Sequence, residues 1–177
     1  MQDTLTKITD TLSAVRVMAR SGLIPFPRID QGIGVLAAVG KYGPFAGSVH
    51  AHAAQGHGRV ALIDERGQLT YRELEAQSNA LVRGWQAEGI GAGSCVGAMC
   101  RNHRGLVLTM LAAAKGGVRL VLMNTGFARP QLVDVATREG VRHFVFDSEF
   151  ADIADALPSD VTPFLSWVDG PLSTPPA

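Results

Sequence analysis

Chemically capable side chains gather most closely at two places in this 177-residue chain: the histidines His50, His52 and His57, and the cluster Arg101-Asn102-His103-Arg104. A metal site needs converging ligands. No cysteine or carboxylate lies between the three histidines, and His50 and His52 point to different sides of a helix, so solvent-facing or locally bonded rings are expected. His103 differs, because it stands just beyond the C-terminal end of an apparent strand, where open α/β sheets place their ligands. A capping or surface role for it is expected ahead of catalysis. Arg101 and Arg104 have the charge to attract a phosphate, as a secondary reading.

Two glycine-rich segments invite a nucleotide-binding reading and fail it, one on order and one on spacing. Gly89-Ile90-Gly91-Ala92-Gly93 follows a helix and precedes a strand, the reverse of a dinucleotide loop, so it reads as a helix C-cap and turn. Gly34 to Lys41 approaches a phosphate loop, yet five residues separate Gly34 from Gly40, and Tyr42 stands where Ser or Thr must bind magnesium. Lys7 and Lys115 have no glycine-rich approach. No Ser/His/Asp arrangement, acid pair or oxyanion loop emerges. No catalytic, cofactor-binding or metal-binding residue is assigned.

The elements that must position these residues follow from periodicity. Leu5, Ile8, Leu12, Val15 and Ala19 recur at helical spacing and predict an opening amphipathic helix that Pro25 and Pro27 end. An apolar stretch from Ile33 to Val39 is broken by Gly40, Gly43 and Pro44 before another helix toward Ala54. Val60 to Ile63 predicts a strand, Asp64 to Gly67 a turn, and Leu69-Thr70 a returning strand. Thr70 and Glu73 make a capping box for a helix from Tyr71, with Leu74, Leu81 and Trp85 facing inward and Gly89 closing it. Strands at Cys95 to Cys100, Val118 to Met123 and Arg142 to Asp147 then alternate with helices at Gly105 to Lys115 and Pro130 to Glu139. A short helix from Phe150 to Leu157 and a strand at Pro163 to Val168 complete the pattern. Nearly all-apolar strands separated by helices predict an α/β fold, a mostly parallel sheet flanked by helices with right-handed crossovers. The expected domains are a helical leader, 1–58, packed on the domain, an α/β subdomain, 59–170, and an unstructured tail, 171–177.

Composition narrows the partners. With 46% hydrophobic residues and 16 Lys+Arg against 16 Asp+Glu, the chain has no strong net field, and no nucleic-acid partner is expected. Cys95 and Cys100 read as buried reduced thiols. The uncharged stretch from Tyr42 to Gly58 carries three histidines, and Gly105 to Ala114 is too short to cross a bilayer. Gln2, Asp3 and Thr4 stand where a signal peptide would begin, so a cytoplasmic location is expected.

Ala-Leu-Ile-Asp-Glu-Arg-Gly-Gln-Leu-Thr-Tyr-Arg-Glu-Leu (61–74), Cys-Arg-Asn-His-Arg (100–104) and Leu-Met-Asn-Thr-Gly-Phe-Ala (122–128) together resemble the N-terminal portion of the AMP-forming acyl-CoA synthetases, the adenylate-forming superfamily, and most closely its actinobacterial fatty-acid ligases. The resemblance implies an ATP-dependent ligase that adenylates a fatty acid and passes the acyl group to CoA, with ATP, Mg and CoA as the family's cofactors. It also implies Asn102 as the N-cap of the following helix and a structural bend at Asn124 to Phe127. The family's phosphate loop, its Tyr/Thr-Glu motif, its ribose-binding Asp and its lid lysine have no counterpart here. The expectation is an N-terminal fragment, inactive alone, whose partner is the rest of the ligase and whose fatty acid binds in the full-length protein. The alternatives are a non-catalytic interaction module and a membrane-surface adaptor, the latter through the leader, which carries five basic and three acidic residues through Gly58.

Overall fold

The computed structural model describes residues 29–56 and 58–168, together with residues 13, 16, 17, 20 and 21. Of the predicted opening helix, only Ser13, Arg16, Val17 and Arg20 fall among these, and all four are helical. The rest of that helix, His57 and the tail from 171 lie outside the described residues.

The chain divides into two compact units. One holds the residues up to Ala61 and Leu69–Ala76; the other holds Leu62–Gln68 and everything from Gln77. In the first, α1 runs from Ile29 to Ala54 and is bent at Gly43, whose φ of 76° and ψ of 172° suit glycine alone. Pro44 then opens the second half, where its missing N–H costs nothing. The two halves meet backbone to backbone: a Cβ on Gly47 would sit 2.6 Å from the Cα of Val39. Val35, Ala38, Ala46 and Val49 are buried on the inner side.

Strands β1 (Val60–Asp64) and β2 (Gly67–Thr70) form a two-stranded sheet that leads into α2 (Tyr71–Ala87). Local chemistry fixes that helix start. The Thr70 N–H donates to Glu73 Oε2 at 2.8 Å, and the Glu73 N–H donates to Thr70 Oγ1 at 3.3 Å, the reciprocal box read in the sequence. At the other end Gly89 takes φ 77°, and the N–H of the buried Ile90 returns to the Trp85 carbonyl at 2.7 Å. Leu74 and Trp85 are buried, as their spacing required, and Leu81 is half-buried.

The second unit is built on strands β3 (Cys95–Met99), β4 (Arg119–Leu122), β5 (His143–Asp147) and β6 (Thr162–Trp167), linked by α3 (Arg104–Gly116), α4 (Arg129–Arg138), a 3₁₀ turn at Ser148–Phe150 and α5 (Ala151–Ala154). The last helix is shorter than the sequence suggested: Phe150 belongs to the 3₁₀ turn, and the chain leaves the helix in turns after Ala154. The sheet order is β4-β3-β5-β6, and every pairing is parallel.

Strand β3 is buried at all five positions, as a central parallel strand must be. Cys95 and Met99 pack with Leu132, Phe144 and Phe146 on one face, while Val96 and Ala98 pack with Trp85, Ala112 and Val145 on the other. Gly97 is required by contact: a Cβ there would come within 2.9 Å of the Met123 side chain and 3.0 Å of the Phe144 ring.

Candidate functional site

The chain leaves β3, forms β4 on one side, and then crosses to form β5 on the other, so the sheet's topological switch lies between β3 and β5. Ligands of open α/β sheets gather outside the carboxyl ends of the strands at such a point. The residues that follow β3, β5 and β6 line a cavity of about 370 Å³, with Arg101, His103, Asp147, Glu149 and Trp167 in its wall.

Asp147 organises that wall. Its Oδ2 accepts from the Arg101 backbone N–H at 2.6 Å and from His103 Nε2 at 2.9 Å, and both His103 and Asp147 are almost fully buried. His103 Nδ1 accepts from the Gly105 backbone N–H at 3.0 Å, which places the ring proton on Nε2. The imidazole also stacks on Trp167, 4.4 Å between centroids, and the Arg66 guanidinium lies 3.8 Å from the same indole. With both ring nitrogens committed, His103 is the helix cap and the orienting partner of Asp147.

This corrects the expectation for Asn102: the N-cap of α3 is His103, with extended φ of −144°, and Asn102 precedes it on the exposed side. A histidine cap is uncommon, and what favours it here is a carboxylate 44 residues away in sequence. His103 therefore takes the capping role foreseen for it, but it is buried and does not sit on the surface.

Both nearby arginines are already neutralised. Arg104 clasps the Asp64 carboxylate at 2.5 to 3.1 Å and reaches the Gly67 carbonyl, which pulls the Asp64 carboxyl well below the usual carboxylate range. The Asp64 side chain is buried. Arg101 holds Glu149 through two bonds of 2.9 and 2.7 Å, and that guanidinium lowers the Glu149 carboxyl. Cys100, beside them, is buried; burial first and the Asp147 charge second push its thiol up to about 12, so it stays protonated and unreactive at neutral pH.

The remaining sequence candidates serve structure. His50 bonds Glu75 at 3.0 Å, and the buried His52 bonds the Ser48 carbonyl at 2.9 Å and stacks on Tyr71. No group of three or more His, Cys, Asp or Glu is placed to hold a metal among the described residues. The Gly34 to Lys41 segment is helical, so its backbone N–H groups are turned along α1 and cannot cradle a phosphate. Lys115 is bound to Ser78 Oγ and Asn79 Oδ1 at 2.7 and 2.9 Å. Asn124 closes a tight bend by accepting from Gly126 N–H at 2.8 Å, and Phe127 packs on the core beneath it.

This fold, a four-stranded parallel sheet with flanking helices and a cavity at its switch point, is an open α/β scaffold. Comparison with known proteins then identifies it: the model of the AMP-binding enzyme family matches residues 49–169, more than half the chain, and the chain belongs to that family. A short match to the Periviscerokinin family over residues 21–29 covers too little to carry an argument. The medium/long-chain-fatty-acid–CoA/3-oxocholest-4-en-26-oate–CoA ligase of Mycobacterium marinum is 35% identical over 101 residues, which are 56% of this chain and 18% of the ligase. The ligase of the same description from Mycolicibacterium smegmatis is 31% identical over 115 residues, 63% of this chain and 21% of the ligase. The chain spans about a fifth of the length of these relatives.

Among solved structures, a fatty acyl CoA synthetase of Mycobacterium tuberculosis superposes with a TM-score of 0.62 at 22% identity, over 70% of this chain and 26% of that one. The o-succinylbenzoate coenzyme A synthetase of Bacillus subtilis, solved with ATP and magnesium ion, gives 0.61 at 23% identity, over 67% and 32%. At these identities the likeness is one of fold. No described helix is long and apolar enough to cross a membrane.

Proposed function

We propose that this chain is the N-terminal portion of an ATP-dependent, AMP-forming fatty-acid–CoA ligase, located in the cytoplasm and unable to form the acyl adenylate by itself. The observation that carries the reading is the match of residues 49–169 to the AMP-binding family together with ligase relatives at 31–35% identity. Electrostatic stabilisation of the transferring phosphate is the main work of such a site. Here Arg101 and Arg104 are held by carboxylates and Lys115 by Ser78 and Asn79, which supports a structural use of these three cations. Fatty acid, ATP, Mg and CoA are handled by the complete enzyme, and this chain's share is to supply the switch-point wall against which the remainder packs. In ATP–pyrophosphate exchange with medium- and long-chain fatty acids, the chain alone gives no signal above a heat-killed control. Exchange above that control contradicts the inactivity.

A further inference from the structure

The cavity at the ends of β3, β5 and β6 holds two charged groups that the protein itself does not complete. Asp147 stands in its wall and is 2% exposed. Both donors to its Oδ2, the Arg101 backbone N–H and the Nε2–H of His103, are neutral, and its Oδ1 is buried with no hydrogen-bond partner among the described residues. A buried carboxylate oxygen in that state costs free energy until a donor meets it.

Arg66 stands in the same wall with the opposite need. Its guanidinium lies 3.8 Å from the centre of the Trp167 ring and gives one N–H to the Val168 carbonyl at 3.0 Å, while its backbone N–H is held by Asp64 Oδ1 at 3.0 Å. The indole and the neutral carbonyl orient this cation without pairing its charge, whereas Arg101 and Arg104 each clasp a carboxylate. A simple anion would answer Arg66 and be repelled by Glu65, Asp147 and Glu149, which share the wall. A simple ammonium would answer Asp147 and be repelled by Arg66. We propose that this cavity binds a small zwitterion, whose protonated amine donates to Asp147 Oδ1 and whose carboxylate or phosphate accepts from the outer N–H groups of Arg66. The volume of about 370 Å³ admits a molecule of that kind. The inference stands on this cavity alone and does not depend on the ligase reading.

The test is isothermal titration calorimetry of the full chain with β-alanine and with O-phosphoethanolamine, which share the ammonium and differ in the anion. Propionate and propylamine, each lacking one of the two charges, are the comparison. At least one zwitterion binds, the tighter of the two identifies the anion, and both comparison compounds bind about tenfold more weakly or worse, as expected for the loss of one charge-assisted hydrogen bond. Arg66→Gln weakens zwitterion binding by about tenfold or more. Asp147→Asn does the same while keeping an acceptor for His103. Arg142→Gln, at the opposite end of β5 in an exposed pair with Asp160, leaves binding unchanged. The thermal midpoint of each variant establishes that it is folded, and Arg66→Gln decides the case if Asp147→Asn does not fold. Absence of binding by both zwitterions, binding that survives Arg66→Gln, or propionate or propylamine binding as tightly as the zwitterions each overturn the proposal.

Discussion

His103 and Trp167 lie nearly parallel, 19° apart with 4.4 Å between ring centroids, so the cap of α3 is clamped by the last strand of the sheet. The same imidazole donates to Asp147 on β5, and a single side chain thereby ties a helix start to two strand ends.

Removal of the acceptor is expected to cost more than removal of the donor. Asp147→Ala leaves the buried Nε2–H of His103 and the Arg101 N–H without their acceptor and destabilises by roughly 2–3 kcal/mol. His103→Asn keeps a capping side chain for α3 and loses the bond to Asp147, at about 1 kcal/mol. Urea unfolding of both variants checks the ranking. Equal, near-zero effects contradict the clamp.

The Asp64–Arg104 pair governs the acid limb of stability. The folded carboxyl lies below its ordinary value of 3.8, so the unfolded chain takes up its proton first as the pH falls. Its contribution is fully present above the ordinary value and is lost as the pH drops toward the folded one. Arg104→Gln lowers stability at neutral pH by about 2 kcal/mol and flattens the decline below about pH 4. Denaturant midpoints measured across that window read both effects, and an unchanged acid slope speaks against the pair.

His143 acts nearer neutrality and with its own sign. Burial lowers its imidazole below the ordinary 6.5, so between the two values the folded chain holds fewer protons than the unfolded chain. Stability therefore falls as the pH drops through the ordinary value and levels off below the folded one. His143→Gln removes this part of the slope on the acid side of the ordinary imidazole value. Thermal midpoints at a series of pH values detect it, and an identical slope in the variant excludes His143 as the source.

Most of the fold was legible because its signals are local. The Thr70–Glu73 box, the positive φ at Gly89 and the apolar runs of β3 and β5 each specify structure within a few residues. The bend in α1 was equally plain from Gly43-Pro44. What escaped depends on pairing across the chain: His103 displaces Asn102 as cap because of Asp147, and Arg104 becomes structural because Asp64 stands 40 residues away in sequence. Residue types announced the cluster's charge, but only the sheet order brings the neutralising carboxylates to it.

The proposed ligase reading requires residues 60–168 to work as the matching N-terminal segment of a complete relative. The direct measurement is ATP–pyrophosphate exchange by a chimera in which these residues replace the matching segment of the Mycobacterium marinum ligase, with medium- and long-chain acids as substrates. Fatty-acid-dependent exchange from the chimera is expected. A chimera that folds cooperatively and gives no exchange, beside an active parent ligase, would contradict it.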